Sequence, residues 1–317
     1  MSDPLPPLLV LTGPTAVGKS ALVIGLAEAL GGEIVTADSR QVYRFMDIGT
    51  DKPPSATRRG IPHHMIDLVD PDEYYSLAQY LAGAAAVIAA VHTRGRLPIL
   101  AGGTPQYITA LIEGWQIPAV APDPALRAGL EARAAVEGPA ALHAELARLD
   151  PPAAARILPG NARRLVRALE VVYTTGASFA AQQQRRQPPY RLGLIALTAD
   201  RAELHRRADA RIDYQVTHGL IEETRGLHEQ GYGWDLPSMS GLGYRQMGYY
   251  LRGEMPLAAA VQRLKYDTHR FVRHQYTWFR RDPRWIWVDT TAGPAAAPLI
   301  AAVAHWRAGE ALALPAA

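Results

Sequence analysis

The sequence predicts an α/β protein whose parallel sheet is interrupted by an all-helical insertion. Three observations carry this prediction. The N-terminal region passes from the apolar run Leu8-Leu9-Val10-Leu11 through a glycine-bounded turn into an apolar helix, residues 21–30. Two further apolar runs, residues 33–37 and 97–101, end in short polar or glycine-containing clusters, with helical periodicity between them over residues 76–92. From about residue 124 the alternation stops: three amphipathic patterns, 124–137, 139–149 and 161–173, follow one another without a strand, and an apolar run resumes at 192–197. The expected organisation is a core of residues 1–122 and 190–317 with a helical domain of residues 123–189, closed by the polar linker 182–189.

The first turn, Gly13-Pro14-Thr15-Ala16-Val17-Gly18-Lys19-Ser20, fits the phosphate-binding loop G-x-x-x-x-G-K-[ST] at every constrained position. Its glycines let consecutive backbone N–H groups turn toward an anion, and the helix that follows aims its unpaired N–H groups and positive dipole end there. Lys19 adds a mobile charge, and Ser20 offers a hydroxyl to a Mg²⁺ bridging phosphate oxygens. The chain has three lysines, Lys19, Lys52 and Lys265, and one of them stands in this loop. The core is thus expected to be a P-loop NTPase-like sheet.

Bulk properties agree with a globular chain. Of 317 residues, 48% are hydrophobic and 20% charged, which supports a large core. The net charge is only +3, so charge alone does not identify a nucleic-acid partner, although the arginine preference leaves room for a basic face. With no cysteine, disulfides and Cys-ligated zinc or iron–sulfur sites are excluded. The N-terminus, Met1-Ser2-Asp3-Pro4, has no signal-peptide pattern and no apolar run reaches membrane-spanning length, so a soluble chain without a membrane partner is expected; the lack of cysteine suits a cytoplasmic protein, and a monomer is expected.

Each strand end then offers candidates. The second strand delivers Asp38-Ser39-Arg40-Gln41 to the edge where parallel sheets bind ligands, and Asp38 reads either as a site carboxylate or as a turn aspartate. Residues 42–53 read as an ordered loop, and His63-His64 as structural. The third strand ends in Gly102-Gly103-Thr104, before a short helix starting at Pro105. In the insertion, Arg163, Arg164 and Arg167 lie on one helix, with Arg163 and Arg167 on a common face. They read as a solvated face or as phosphate contacts. A single long helix is expected over 201–230, in which Arg207 and Arg211 share a face and could grip anionic oxygens. Residues 263–281 interleave Arg270, Arg273, His274 and Arg280 with Phe271, Tyr276 and Trp278, a pattern of nucleic-acid contact or of a basic helix with a packed aromatic face. Residues 285–288 read as a last strand, followed by an Ala-rich helix.

Taken together these motifs resemble the bacterial tRNA dimethylallyltransferase (tRNA isopentenyltransferase) family over nearly the whole chain. The resemblance rests on the phosphate loop, Asp38 to Tyr43, Met46 to Thr50 with Lys52-Pro53, Pro62-His63-His64 and Gly102-Gly103-Thr104. It continues in residues 163–170, Gly243-Tyr244-Arg245 and Gln275 to Phe279. It implies a core similar to small-molecule kinases and transfer of a dimethylallyl group from dimethylallyl diphosphate to N6 of the adenosine beside the anticodon. Carried over by position, Asp38 would take the proton and Thr15 would bond at the reacting centre. Gly13, Pro14, Thr15, Ala16, Val17, Gly18, Lys19 and Ser20 with Mg²⁺ would hold diphosphate, joined by Arg207 and Arg211. Asp38, Ser39, Arg40, Gln41, Thr104, Arg163, Arg164, Arg167, Arg273 and Gln275 would meet tRNA. The chain departs from the family pattern at Pro105-Gln106, where a glycine usually follows the threonine, and at Arg273-His274, where the family usually has Lys-Arg. The competing readings are a small-molecule or nucleoside kinase, which would consume ATP without tRNA, and a non-enzymatic nucleotide-switch or RNA-binding module, which would not need an aspartate opposite the loop.

Overall fold

A computed structural model describes residues 5–118, 120–182, 184–293 and 296–314. The N-terminal residues read above for a signal peptide, and Gln183 of the linker, lie outside them. β1 (Pro7–Thr12) is buried along nearly its whole length, as an unbroken Leu/Val run requires of a central parallel strand. α1 (Lys19–Leu30) follows the glycine turn and stops at Gly31, whose left-handed φ of 61° lets the chain reverse. Then come β2 (Gly32–Ala37), a two-residue β3 (His63–His64), α2 (Leu77–Thr93), β4 (Leu97–Gly102) and α3 (Pro105–Ile112). Five helices succeed one another: α4 (Pro124–Glu137), α5 (Pro139–Leu149), α6 (Pro151–Ala154), α7 (Ala162–Thr175) and α8 (Phe179–Gln182). The sheet resumes with β5 (Arg191–Thr198), followed by α9 (Arg201–Thr217), α10 (Leu220–Glu229), α11 (Tyr244–Leu251) and α12 (Leu257–Phe279). β6 (Ile286–Asp289) and α13 (Ala296–Arg307) end the described elements.

The six strands form one sheet in the order β3-β2-β4-β1-β5-β6, every pair parallel. Parallel pairing brings all C-terminal ends to one edge, so the turns after β1, β2 and β4 become neighbours. Leu9, Leu11, Ile34, Ile99, Ile195 and Leu197 pack in one cluster with α1 and with Leu299, Val303 and Trp306 of α13. α2 lies on β2 and β4, and its Tyr80 hydroxyl donates to the Thr36 carbonyl at 3.1 Å. A further cluster joins Val42, Tyr43 and Met46 to Ile212, Leu220, Tyr244, Met247 and Leu264, which seats loop 42–48 on the C-terminal helices.

One expectation about the elements is corrected. Residues 201–230 are two helices, because Gly219 takes φ 106° and caps α10. That conformation strains any other residue. His63-His64, read as structural, form a two-residue edge strand paired with Ile34 and Val35. Among the described residues no helix is long and apolar enough to cross a membrane.

The chain divides into two compact units, residues 1–109 with 189–317 and residues 110–188. The smaller is all-helical around Leu130, Leu142, Leu146, Leu165, Leu169 and Phe179. Asp123 and Asn161 cap α4 and α7 through their side-chain oxygens. Within this unit the carboxylate of Glu170 is 0% exposed, and accepts from Arg127 at 2.8 and 2.9 Å, from Arg167 at 2.5 Å and from the Asp123 amide at 2.8 Å. Burial opposes ionisation there, but the bonds from Arg127 and Arg167 prevail and hold the carboxyl below its usual 4.5. A carboxyl depressed in the fold stabilises it above its unfolded pKa, and that stabilisation is lost as pH falls through the folded value. Glu170→Ala strands two arginines on an apolar core. It should lower stability to urea at pH 7 by about 3 kcal/mol, with the deficit shrinking as pH falls below 4.5.

Candidate active site

The phosphate loop is shaped by close packing as much as by its glycines. At Gly13 a Cβ would stand 2.8 Å from the Leu197 carbonyl oxygen, so β5 excludes any side chain there. Gly18 caps α1 at φ 94° with no side-chain bond, leaving the first N–H groups of the helix open. Lys19 donates from Nζ to the carbonyls of Gly13 at 2.9 Å and Pro14 at 2.7 Å, which folds its charge back over the loop.

Three strand ends are tied together around this loop. Thr12 Oγ1 donates to the Gly102 carbonyl at 3.1 Å, joining β1 to β4. The Thr104 amide donates to the Ala37 carbonyl at 3.1 Å, and Thr104 Oγ1 accepts from the Ser39 amide at 2.9 Å, joining β4 to β2. Gln275, 0% exposed on α12, closes the arrangement: its Oε1 accepts from the Thr15 amide at 2.9 Å and its Nε2 donates to the Gly103 carbonyl at 2.7 Å. Gln275 was expected to meet tRNA. Its burial and the commitment of both ends of its amide to backbone make it a strut between two loops instead.

These ends enclose a cavity of about 1010 Å³, whose lining includes Thr15, Lys19, Ser20, Asp38, Arg211 and Thr104. Asp38 Oδ1 accepts from the amides of Arg40 at 2.8 Å and Gln41 at 3.4 Å, the turn-aspartate role. Its Oδ2 makes no hydrogen bond to a described residue, so the carboxylate is oriented by one oxygen and open at the other. The turn-aspartate reading is what these bonds show, and Oδ2 is left for the site reading.

Arg211 donates from Nη1 to Asp51 Oδ2 at 2.9 Å, while its buried Nε has no partner among the described residues. A buried guanidinium N–H without an acceptor is unfavourable by about 1–3 kcal/mol and marks the place an anion oxygen would fill. Arg207 lines the same cavity, but its Nε is held by Glu203 and one Nη by the carbonyls of Thr290 and Thr291. Of the two arginines expected to grip diphosphate, Arg211 carries the open donor. Burial, and then the Arg211 charge, lower the Lys19 pKa to about 8, against the opposing attraction of Asp38 and Asp51.

The remaining candidates separate. Arg40 donates to the carbonyls of Pro237 at 2.5 Å and Ser238 at 3.4 Å and to Ser240 Oγ at 3.2 Å, binding the loop before α11 rather than offering its charge outward. Gln41 Nε2 donates to the Thr50 carbonyl at 3.0 Å. Arg273 is exposed, and lines the cavity with Arg270 and His274. In the helical unit Arg163 and Arg164 are exposed, whereas Arg167 is engaged by Glu170. Sequence reasoning missed Asp51 and the bridging role of Gln275; nothing local to either position signals a partner 160 or 260 residues away.

The model of the IPP transferase family matches residues 41–282, most of the chain. The chain belongs to this family. It is 54% identical over 285 residues to the tRNA dimethylallyltransferase of Thermomicrobium roseum, covering 90% of this chain and 87% of that one. It is likewise 54% identical over 286 residues to that of Roseiflexus castenholzii, covering 90% and 94%. Among solved structures, the tRNA isopentenylpyrophosphate transferase of Bacillus halodurans is 39% identical with a TM-score of 0.71, covering 96% of each chain. A eukaryotic dimethylallyltransferase crystallised acting on tRNA is 25% identical with a TM-score of 0.82, covering 97% of this chain and 81% of that one.

The titration of Lys19 gives a direct test of the anion site. A bound anion raises the pKa of a neighbouring ammonium, so binding near pH 8 takes up a proton and affinity falls as pH rises above about 8, by up to about tenfold per unit. Calorimetry with inorganic diphosphate in buffers of different ionisation enthalpy should show that uptake, and Lys19→Met should abolish it. Because diphosphate itself ionises in this range, the comparison is with the variant: equal proton uptake and equal pH dependence in wild type and Lys19→Met would place Lys19 outside the site.

Proposed function

We propose that this protein transfers the dimethylallyl group of dimethylallyl diphosphate to N6 of an adenosine in the anticodon loop of tRNA, beside the anticodon. The observation that carries this reading is one cavity holding a phosphate loop, an arginine whose buried Nε–H has no partner among the described residues and a carboxylate oxygen that accepts from none of them. A donor with a departing diphosphate and an acceptor with a proton to lose need those three features together.

The phosphate loop amides, Lys19 and Arg211 would hold the diphosphate. An exocyclic adenine amine is a weak nucleophile because its lone pair is delocalised into the ring. Asp38, fixed through Oδ1, would align the amine through Oδ2 and take its proton. The N6–C bond forms at the allylic carbon as the C–O bond to diphosphate breaks, and the electron pair of that bond leaves on the diphosphate. Lys19 and Arg211 would neutralise the charge that develops there. Thr15, whose amide is fixed by Gln275, would present its hydroxyl at the reacting centre.

Among the described residues no group of three or more His, Asp or Glu side chains is assembled for a metal. A Mg²⁺ carried by diphosphate needs only one or two protein oxygens, and Ser20, exposed in the first turn of α1 and lining the cavity, fits that requirement. When bound, the ion would add positive charge to the leaving oxygens. Arg273 and Arg270 at the cavity, and Arg163 and Arg164 on the helical unit, would pair with tRNA phosphates.

A small-molecule kinase would share the loop and the arginine but would transfer phosphoryl from ATP. Incubation with Mg²⁺, dimethylallyl diphosphate and total tRNA should yield a prenylated adenosine detectable by nucleoside mass spectrometry, with no dependence on ATP. ATP-dependent phosphorylation of a small acceptor, without prenylation, would establish the kinase instead.

A further inference from the structure

The Arg211 guanidinium is gripped at one end only. Asp51 Oδ2 accepts from Nη1 at 2.9 Å, and no other hydrogen bond to a described residue holds this side chain. Nη1 is the nitrogen remote from the Nε–H edge. A carboxylate placed there leaves free the parallel donors on Nε and Nη2, the fork that matches two oxygens of a phosphate group: Nε is buried with no partner, and Nη2 makes no hydrogen bond, among the described residues.

Asp51 does not reach this position by chance of a flexible loop. Its backbone is left-handed, φ 55°, a conformation that aspartate tolerates but most side chains avoid. The loop behind it is lashed to α10. One carboxylate, Glu223, accepts from three successive amides, Asp47 at 3.0 Å, Ile48 at 2.8 Å and Gly49 at 3.1 Å, and from the Tyr244 hydroxyl at 2.5 Å. Gln215 Nε2 donates to the Ile48 carbonyl at 2.6 Å, and Lys52, buried, is paired with Asp47 and Asp67 at 2.6 Å each. At Gly49 a Cβ would stand 2.5 Å from the Tyr244 ring, so the loop and the tyrosine are packed without slack.

We propose that Asp51 is a positioning residue for the diphosphate clamp, holding the far nitrogen of Arg211 so that its Nε/Nη2 edge faces the ligand, and that Glu223 acts through it by fixing the loop on which Asp51 stands. The inference rests on the reading of Arg211 as a diphosphate ligand. Asp51 also brings a negative charge near an anion, and orientation outweighs that repulsion because the carboxylate is half-exposed and its field is screened by solvent.

The two effects separate by substitution. An asparagine retains an oxygen that can accept from Nη1, whereas an alanine removes it. Calorimetric titration of the full-length protein with inorganic diphosphate in Mg²⁺ should show affinity weakened about tenfold in Asp51→Ala and within about threefold of wild type in Asp51→Asn, as expected for loss and retention of a charge-assisted orienting bond. Glu223→Gln should weaken diphosphate binding in the wild-type background and have no further effect in the Asp51→Ala background, a coupling that general loosening of the fold would not produce. Arg211→Ala is the control on the underlying reading. If it leaves diphosphate affinity unchanged, the clamp itself is misassigned. If Arg211→Ala weakens binding but Asp51→Ala binds as tightly as wild type or tighter, Asp51 is a repelling charge and the positioning role is overturned. Additive effects of Glu223→Gln and Asp51→Ala would likewise overturn the route from Glu223 through Asp51.

Discussion

One side-chain amide, that of Gln275, sets the geometry on which the candidate site depends. It is fully buried and bonds at once to the backbone of the phosphate loop and to the loop after β4. A buried amide left half-bonded is unfavourable by about 1–3 kcal/mol, so each bond enforces the other and the two loops move as one. Gly103 follows from this constraint, since a Cβ there would sit 2.7 Å from Gln275 Nε2, whereas at Gly102 it is the end of β2 that leaves no room, a Cβ standing 2.1 Å from the Ala37 carbonyl oxygen. The edge of the parallel sheet gathers the three loops, and Gln275 with Thr12 and Thr104 sews them together.

The electrostatics of the cavity have a common pattern. Arg211 is held by Asp51, Arg207 by Glu203, and Lys19 lies over the loop's own carbonyls. Each cation is therefore held by a protein oxygen, which would lower the conformational entropy lost on gripping an anion. Asp38 follows the same logic with opposite sign, one oxygen occupied by backbone amides and the other open. A group anchored at one end and available at the other is what a transfer reaction between two bound substrates requires.

Much of this was legible in the sequence because it is local. The phosphate loop, the strands carrying Asp38 and Gly102, and the helices 124–137 and 139–149 follow from periodicity and turn chemistry over a few residues. What was not legible depends on residues distant in sequence. Gln275 opens the motif Gln275 to Phe279, but its partners lie 260 and 172 residues away, so burial turned an expected tRNA contact into a strut. Arg167 and Arg40 look like free charge in the sequence, yet Glu170 and the Pro237–Ser240 loop claim them. The break at Gly219 was visible as a glycine, but a single glycine within a strong helical pattern does not by itself reveal a left-handed turn.

In the proposed reaction Asp38 would accept the proton of the attacking amine. Single-turnover transfer with dimethylallyl diphosphate and tRNA both saturating isolates that step. Asp38→Asn keeps the shape and the accepted turn bonds but removes the base, and its rate should fall by about 10² to 10⁴-fold while diphosphate affinity is retained. A wild-type rate in this variant would reduce Asp38 to the turn residue that its Oδ1 contacts already describe, and would rule it out as the base.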